Sequence, residues 1–275
     1  MDSLLAIHHS TSSQFTEGFD SPYYQILLFD DGPGSFRVDF THYDFQTSTI
    51  LFLSPYQHFE WTSPRSIPIY QLQFHGDFYC IEYHKKEVAC NGLLFNNIYL
   101  NPHVPLSAPA FNEITDLFDR LSLELSGDHA YSASVLKAYL QLVLALCSKE
   151  KNMLLESKVS PIHTLTDMDH FQDLLETNFI HQRSVSYYAD QLTMTTAAFS
   201  KKVKKQFGKT PSQLIQDRVV LAAKKQLHLT FQSVKQIAAA LNFEDEFYFS
   251  RYFKKCVGLS PAHYREQVGI SVVAK

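Results

Sequence analysis

Residues Ser233–Pro261 read SVKQIAAALNFEDEFYFSRYFKKCVGLSP, and this stretch decides the architecture of the carboxy-terminal half. Val234, Ile237, Ala238 and Leu241 stand at i, i+3, i+4 and i+7, the stripe of one short amphipathic helix. Ser233 in front of it is an N-cap residue, whose oxygen accepts from a backbone N–H the helix leaves free. Asn242-Phe243-Glu244 makes a tight turn, and Asp245 caps a second helix. There Phe249 and Phe253, one turn apart, face inward and leave Tyr248, Arg251, Lys254 and Lys255 on the outer faces. Gly258 suits a left-handed helix end, and Ser260-Pro261 is a cap followed by proline at the first helical position.

The same unit occurs earlier in the chain. Phe199-Ser200-Lys201, Lys204-Lys205, Gly208 and Thr210-Pro211 recur 50 residues on as Phe249-Ser250-Arg251, Lys254-Lys255, Gly258 and Ser260-Pro261. Ala189 and Leu192 match Ala238 and Leu241 at an offset of 49, so the second copy has one extra residue in its turn. In the first copy Tyr188, Ala189 and Leu192 form the buried face, Thr193-Met194 the turn, and Thr195 or Thr196 the cap of a helix to Phe207. Thr210-Pro211-Ser212-Gln213 is a capping box opening a long helix through Leu227 that joins the copies. A short helix, a tight turn and a second helix with a basic face make a helix-turn-helix, whose second helix enters the DNA major groove.

Charge supports this only once the chain is divided. The 275 residues carry a net charge of −4, which taken whole argues against a nucleic-acid partner. Arg183–Gln267 holds 14 Lys and Arg against 6 Asp and Glu, a balance of +8, and leaves −12 for the rest. A basic module is joined to an acidic one.

The chain resembles the AraC/XylS family of bacterial transcriptional regulators over roughly residues 170–266. The resemblance is carried by Arg218, Leu221, Ala223-Lys224 and Leu227, by Ser233–Ala238 and Leu241–Asp245, by Tyr248–Lys255, and by Gly258–Arg265. Where the family usually has Gly, this chain has Asn242, a residue that tolerates the left-handed conformation. The resemblance implies base-edge contacts from Thr195, Thr196, Ser200 and Lys201 in the first reader and from Glu246, Phe247, Ser250 and Arg251 in the second. Lys204, Lys205, Lys254 and Lys255 are expected on phosphates, which supply affinity and register without sequence information. It further implies a cytoplasmic regulator, commonly an activator, working with RNA polymerase on double-stranded DNA.

The amino-terminal half reads differently. Tyr23–Phe29, Ile50–Leu53 and Ile67–Phe74 are short β-branched and aromatic runs, Asp30–Gly34 is turn chemistry, and Pro68 suggests an edge strand. These predict an antiparallel barrel or sandwich, and Leu51–His58 is similar to the cupin-like barrel of the family's sensor domain. The cupin His-x-His metal signature is missing, so neither a metal nor a cofactor is expected. Phe111, Ile114, Phe118, Leu121 and Leu125 form one helical stripe and Val135–Cys147 another, predicting a helix pair. The first stripe is long enough for a homodimer seam, although packing on the second helix uses the same face. Tyr24, Phe40, Tyr56, His58 and Trp61 are expected to line an effector cavity, unless they serve as core.

The expected fold is α+β: a cupin-like sensor and dimerisation domain over 1–155, a linker over 156–168, and an all-α DNA-binding domain over 169–275. Its two helix-turn-helix units lie near 184–208 and 233–258. The polar run Lys149–Ser160 precedes Pro161 and belongs to the linker region. Four cysteines are too few for a disulfide framework, and the most apolar stretch, Tyr139–Cys147, is far short of the ~20 residues of a membrane span. No signal peptide is visible, so a reduced intracellular compartment is expected. His75, Cys80, His84 and Cys90 are metal-ligand types, but their spacing matches no standard zinc pattern. The leading expectation is a DNA-binding regulator controlled by a small molecule. The alternatives are a barrel-domain enzyme, for which no nucleophile–base pair is recognisable, and a protein-interaction module, each with a DNA-binding appendage.

Overall fold

The computed structural model describes residues 4–30, 32–79, 92–127, 131–158 and 166–270. They form two compact units that divide between residues 158 and 159, with Ile98–Leu100 grouping with the second.

The first unit contains eight strands among its described residues: β1 (Leu5–Thr11), β2 (Tyr24–Phe29), β3 (Gly34–Val38), β4 (Thr41–Phe45), β5 (Thr49–Leu53), β6 (Phe59–Trp61), β7 (Pro68–Phe74) and β8 (His103–Pro105). Two antiparallel sheets result, one in the order β1-β7-β2-β5-β8 and the other β4-β3-β6. Two helices follow, α1 (Ala108–Ser126) and α2 (Ser132–Lys158).

The larger sheet is the middle layer. Along β2, Ile26 and Leu28 pack with Ile114, Phe118, Leu121, Leu140 and Val143 of the helices. The intervening Leu27 and Phe29 pack with Phe36, Phe45, Phe59 and Trp61 of the smaller sheet. Both faces of β2 and β5 are buried, so both strands read as unbroken apolar runs rather than as alternation.

Two expectations are corrected here. β7 is not an edge strand, because it lies between β1 and β2. Pro68 is tolerated as the strand's first residue, opposite Thr11 at the end of β1. The polar run from Lys149 does not leave the helix, and α2 continues through it to Lys158. Its Lys, Glu, Met and Leu residues are good helix formers. Leu154 still packs on the core, and Lys151 is buried with its ammonium donating to the Asn101 carbonyl at 2.8 Å.

The second unit is all helical: α3 (Asp167–Asn178), α4 (Val185–Gln191), α5 (Thr196–Phe207), α6 (Pro211–Leu229), α7 (Val234–Ala240), α8 (Glu246–Val257) and α9 (Pro261–Val268). α3 therefore starts inside the stretch expected as linker. The 19 residues of α6 span about 28 Å and bury Leu214, Ile215, Val219, Ala223 and Leu227 as the spine of the unit. Among the described residues no helix is long and apolar enough to cross a membrane.

Candidate nucleic-acid interface

The sequence repeat is a structural repeat. α4 and α7 share an offset of 49, α5 and α8 an offset of 50, and the added residue is Glu244 in the second turn. Both turns are built alike. The Thr193 N–H donates to Asp190 and the Met194 N–H to Ala189, and Asn242 and Phe243 do the same to Ala239 and Ala238. Each turn passes through one left-handed residue, Thr193 at φ 53° and Asn242 at φ 55°.

Capping then fixes where each second helix begins and ends. The Thr195 hydroxyl accepts from the Ala198 N–H at 3.2 Å, and the Asp245 carboxylate accepts from the Tyr248 N–H at 2.6 Å. Gly208 and Gly258 close the helices at φ 71° and 87°, as αL C-caps do. Thr210 with Gln213 and Ser233 with Gln236 form reciprocal capping boxes.

Burial divides α5 and α8 into two faces. Phe199 and Val203 in α5, and Phe249 and Phe253 in α8, are fully buried. The opposite face carries Lys201, Lys204 and Lys205 in α5, and Phe247, Arg251, Lys254 and Lys255 in α8, all exposed, and Thr196 is exposed as the first residue of α5. Ser200, Glu246 and Ser250 are half-buried at its margin. Thr195 is exposed, but its hydroxyl is used for capping. The helical equivalent of Phe247 is Ala197, which sequence reasoning passed over because alanine carries no polar signal.

Ten of the 14 basic residues of Arg183–Gln267 fall into two groups. Lys202 pairs with Asp167 at 2.7 Å and Lys209 with Asp217 at 2.7 Å. Arg218 donates to Glu176 at 2.8 Å and lies 3.9 Å over the Phe179 ring, while Arg265 donates to the carbonyls of Leu227 and Gln232. These are structural. Lys201, Lys204, Lys205, Arg251, Lys254 and Lys255 form no salt bridge among the described residues, so six cations of the two second helices stand free for phosphates or base edges.

In the first unit the five expected effector residues do not share one wall. Tyr24 belongs to the core between the larger sheet and the helices, stacked on Phe74, while Trp61 belongs to the core between the sheets. Phe40 is 65% exposed. Phe40, Tyr56 and His58 lie on two turns joined by Asp39, whose carboxylate accepts from the His58 N–H at 3.0 Å. Burial and the neighbouring Asp20 push the Tyr56 hydroxyl pKa up.

The expected dimer seam is consumed inside its own unit. Ile114, Phe118 and Leu121 are buried, and Phe111 and Leu125 pack against the same core, because the α1–α2 contact takes that face. Of the four metal-ligand types only His75 lies among the described residues, Nδ1 3.3 Å from the Asp77 carboxylate; Cys80, His84 and Cys90 lie outside them. No metal-binding cluster occurs among the described residues. Cys147 is buried with its thiol pKa pushed up, and burial with Asp217 pushes Cys256 up to about 11, so neither thiol is activated.

Comparison with known proteins bears on the helical unit. Residues 188–267 match the family model described as Helix-turn-helix domain. The MmsAB operon regulatory protein of Pseudomonas aeruginosa is 39% identical over 61 residues, which is 22% of this chain and 20% of that protein. The transcriptional activator RhaS of Escherichia fergusonii is 26% identical over 178 residues, 64% of this chain and 60% of that protein. The chain thus spans between a fifth and three fifths of the length of these two relatives. A crystal structure of a ToxT variant from Vibrio cholerae aligns over 98% of this chain and 99% of its own, at 14% identity and a TM-score of 0.44.

Proposed function

We propose that residues 188–267, which match the family model described as Helix-turn-helix domain, are an AraC-type DNA reader and that the protein is a sequence-specific DNA-binding regulator of transcription. It acts as an activator at promoters bound by RNA polymerase. The observation that carries the reading is the duplicated second helix, which presents six free cations on one face while its other face is buried. Lys204, Lys205, Lys254 and Lys255 hold phosphates, and Lys201, Ser200, Thr196, Arg251, Ser250, Glu246 and Phe247 meet base edges, with Arg251 suited to guanine. Two readers on one rigid spine address successive major grooves, about 34 Å apart.

The acidic first unit binds the small-molecule effector, in this reading at the turns carrying Phe40, Tyr56 and His58. An effector moves the DNA-competent population only by its differential affinity for the two states. Selection of duplexes from a random library by the full chain tests the DNA reading, and the failure to enrich any sequence would overturn it. A thermal-shift screen of the full chain against small molecules tests the effector reading. A stabilising compound whose effect survives Tyr56→Ala and His58→Ala would move its site elsewhere.

A further inference from the structure

Arg183 lies between α3 and α4, one residue before the Ser184 cap and outside both second helices. Its side chain reaches the other copy. Nη2 donates to the Ile180 carbonyl at 3.4 Å and also to the carbonyl of Leu241, 58 residues away. The guanidinium carbon stands 4.0 Å from the centre of the Phe243 ring.

Both contacts fall on the turn of the second reader. Leu241 ends α7, so its carbonyl is one of those a helix leaves without an internal partner, and a cation there meets the negative end of the helix dipole. Phe243 is the ring on which α8 is seated, with Phe249 at 5.1 Å, Tyr252 at 5.3 Å and Tyr248 at 5.9 Å between centroids. Burial lowers the Arg183 pKa, and Tyr252 and Tyr248 pull it back up. Its Nε is buried without a hydrogen-bond partner, so the side chain accepts a desolvation cost to hold this position.

The helix-turn-helix unit itself does not require this arginine. The matching residue of the second copy, 49 positions on, is Gln232. The contact is therefore an addition that runs from the entrance of one reader to the turn of the other.

We propose that Arg183 is a positioning residue that fixes the angle between the two readers and so sets the spacing between half-sites that the domain accepts. This rests on the DNA-binding reading above. One inserted base pair moves a half-site by about 3.4 Å and rotates it by about 35°, a change that a locked pair of readers resists and a loosened pair absorbs.

The test uses the full chain and a duplex it selects from a random library, with one base pair inserted or deleted between the two contacted segments. The wild type is expected to lose at least about tenfold in affinity on either altered duplex. Arg183→Leu is expected to bind the parent duplex more weakly and to narrow that ratio to about threefold or less. Arg183→Lys, which keeps the charge but not the flat stacking face, falls between. A wild type that enriches no duplex would sink the DNA reading itself. Weakening of the parent and altered duplexes by one common factor in Arg183→Leu, or an unchanged ratio in both variants, would overturn the positioning role. Hydrogen exchange of the amides from Asn242 to Phe249 supplies a second readout should Arg183→Leu fold poorly. Faster exchange there in Arg183→Lys is expected, and unchanged exchange counts against the proposal.

Discussion

Thr193 is a β-branched residue at φ 53°, in the turn that delivers the first recognition helix. The left-handed conformation costs an L-residue with a Cβ about 1–2 kcal/mol. Glycine removes that cost but gives back about 0.5–1 kcal/mol of backbone entropy. The Thr193 hydroxyl donates to the Leu192 carbonyl at 2.8 Å from an exposed position, where water replaces it at little net loss. Thr193→Gly is therefore expected to stabilise the helical unit by about 0.5–1 kcal/mol, a rise of roughly 2–5 °C in its midpoint. The mirror substitution, Asn242→Thr at φ 55°, is expected to destabilise by a similar amount, because asparagine tolerates this region and threonine does not. Thermal unfolding followed by far-UV circular dichroism measures both. A lower midpoint for Thr193→Gly, together with a harmless Asn242→Thr, would refute the reasoning, since the two turns would then not share the strain assigned to them.

Three further outcomes are expected. Arg251→Ala should relax discrimination at one base pair by about 1–3 kcal/mol, read from binding to duplexes substituted at each position. Lys151 is buried and its ammonium pKa is lowered to about 8 by that burial, against 10.5 for a free lysine. The unfolded chain therefore holds more protons between these values, so stability rises with pH from about 8 to 10.5, by an amount on the order of 2–3 kcal/mol. In denaturant titrations Lys151→Met should remove that rise. Phe118→Ala should cost about 3–5 kcal/mol of stability in the first unit with no change of oligomeric state, since the ring is core; sedimentation that reports dissociation without destabilisation would restore the seam.

The helical unit was legible because its signals are local. Ser233, Asp245, Gly258 and the Thr210–Gln213 box each act within four residues, and the structure uses each of them as the sequence suggests. The repeat multiplied that information, since a cap or buried face in one copy checks the other. Thr193 marks the limit: threonine carries no left-handed preference, and its φ of 53° was not read from the sequence although it stands in register with Asn242. Arg183 escaped notice because its partners lie about 60 residues away and nothing local announces them. In the first unit, the unbroken apolar run of β2 does not tell which aromatic ring enters which core, so Tyr24 and Trp61 were grouped though they lie on opposite sides of one sheet. The polarity of Lys149–Lys158 suggested a linker, yet Leu154 packs on the core, Lys151 is buried, and α2 runs on to Lys158.

The central claim is that two basic helices of one unit read DNA. It is tested most directly by the salt dependence of the full chain's binding to a selected duplex and to a random one. With four to six phosphates neutralised, log K should fall against log salt with a slope of about −4 to −5. The double variant Lys204→Glu, Lys205→Glu should flatten that slope by about 2 while keeping the preference for the selected duplex. A slope near zero, or equal affinity for both duplexes at every salt concentration, would contradict the account.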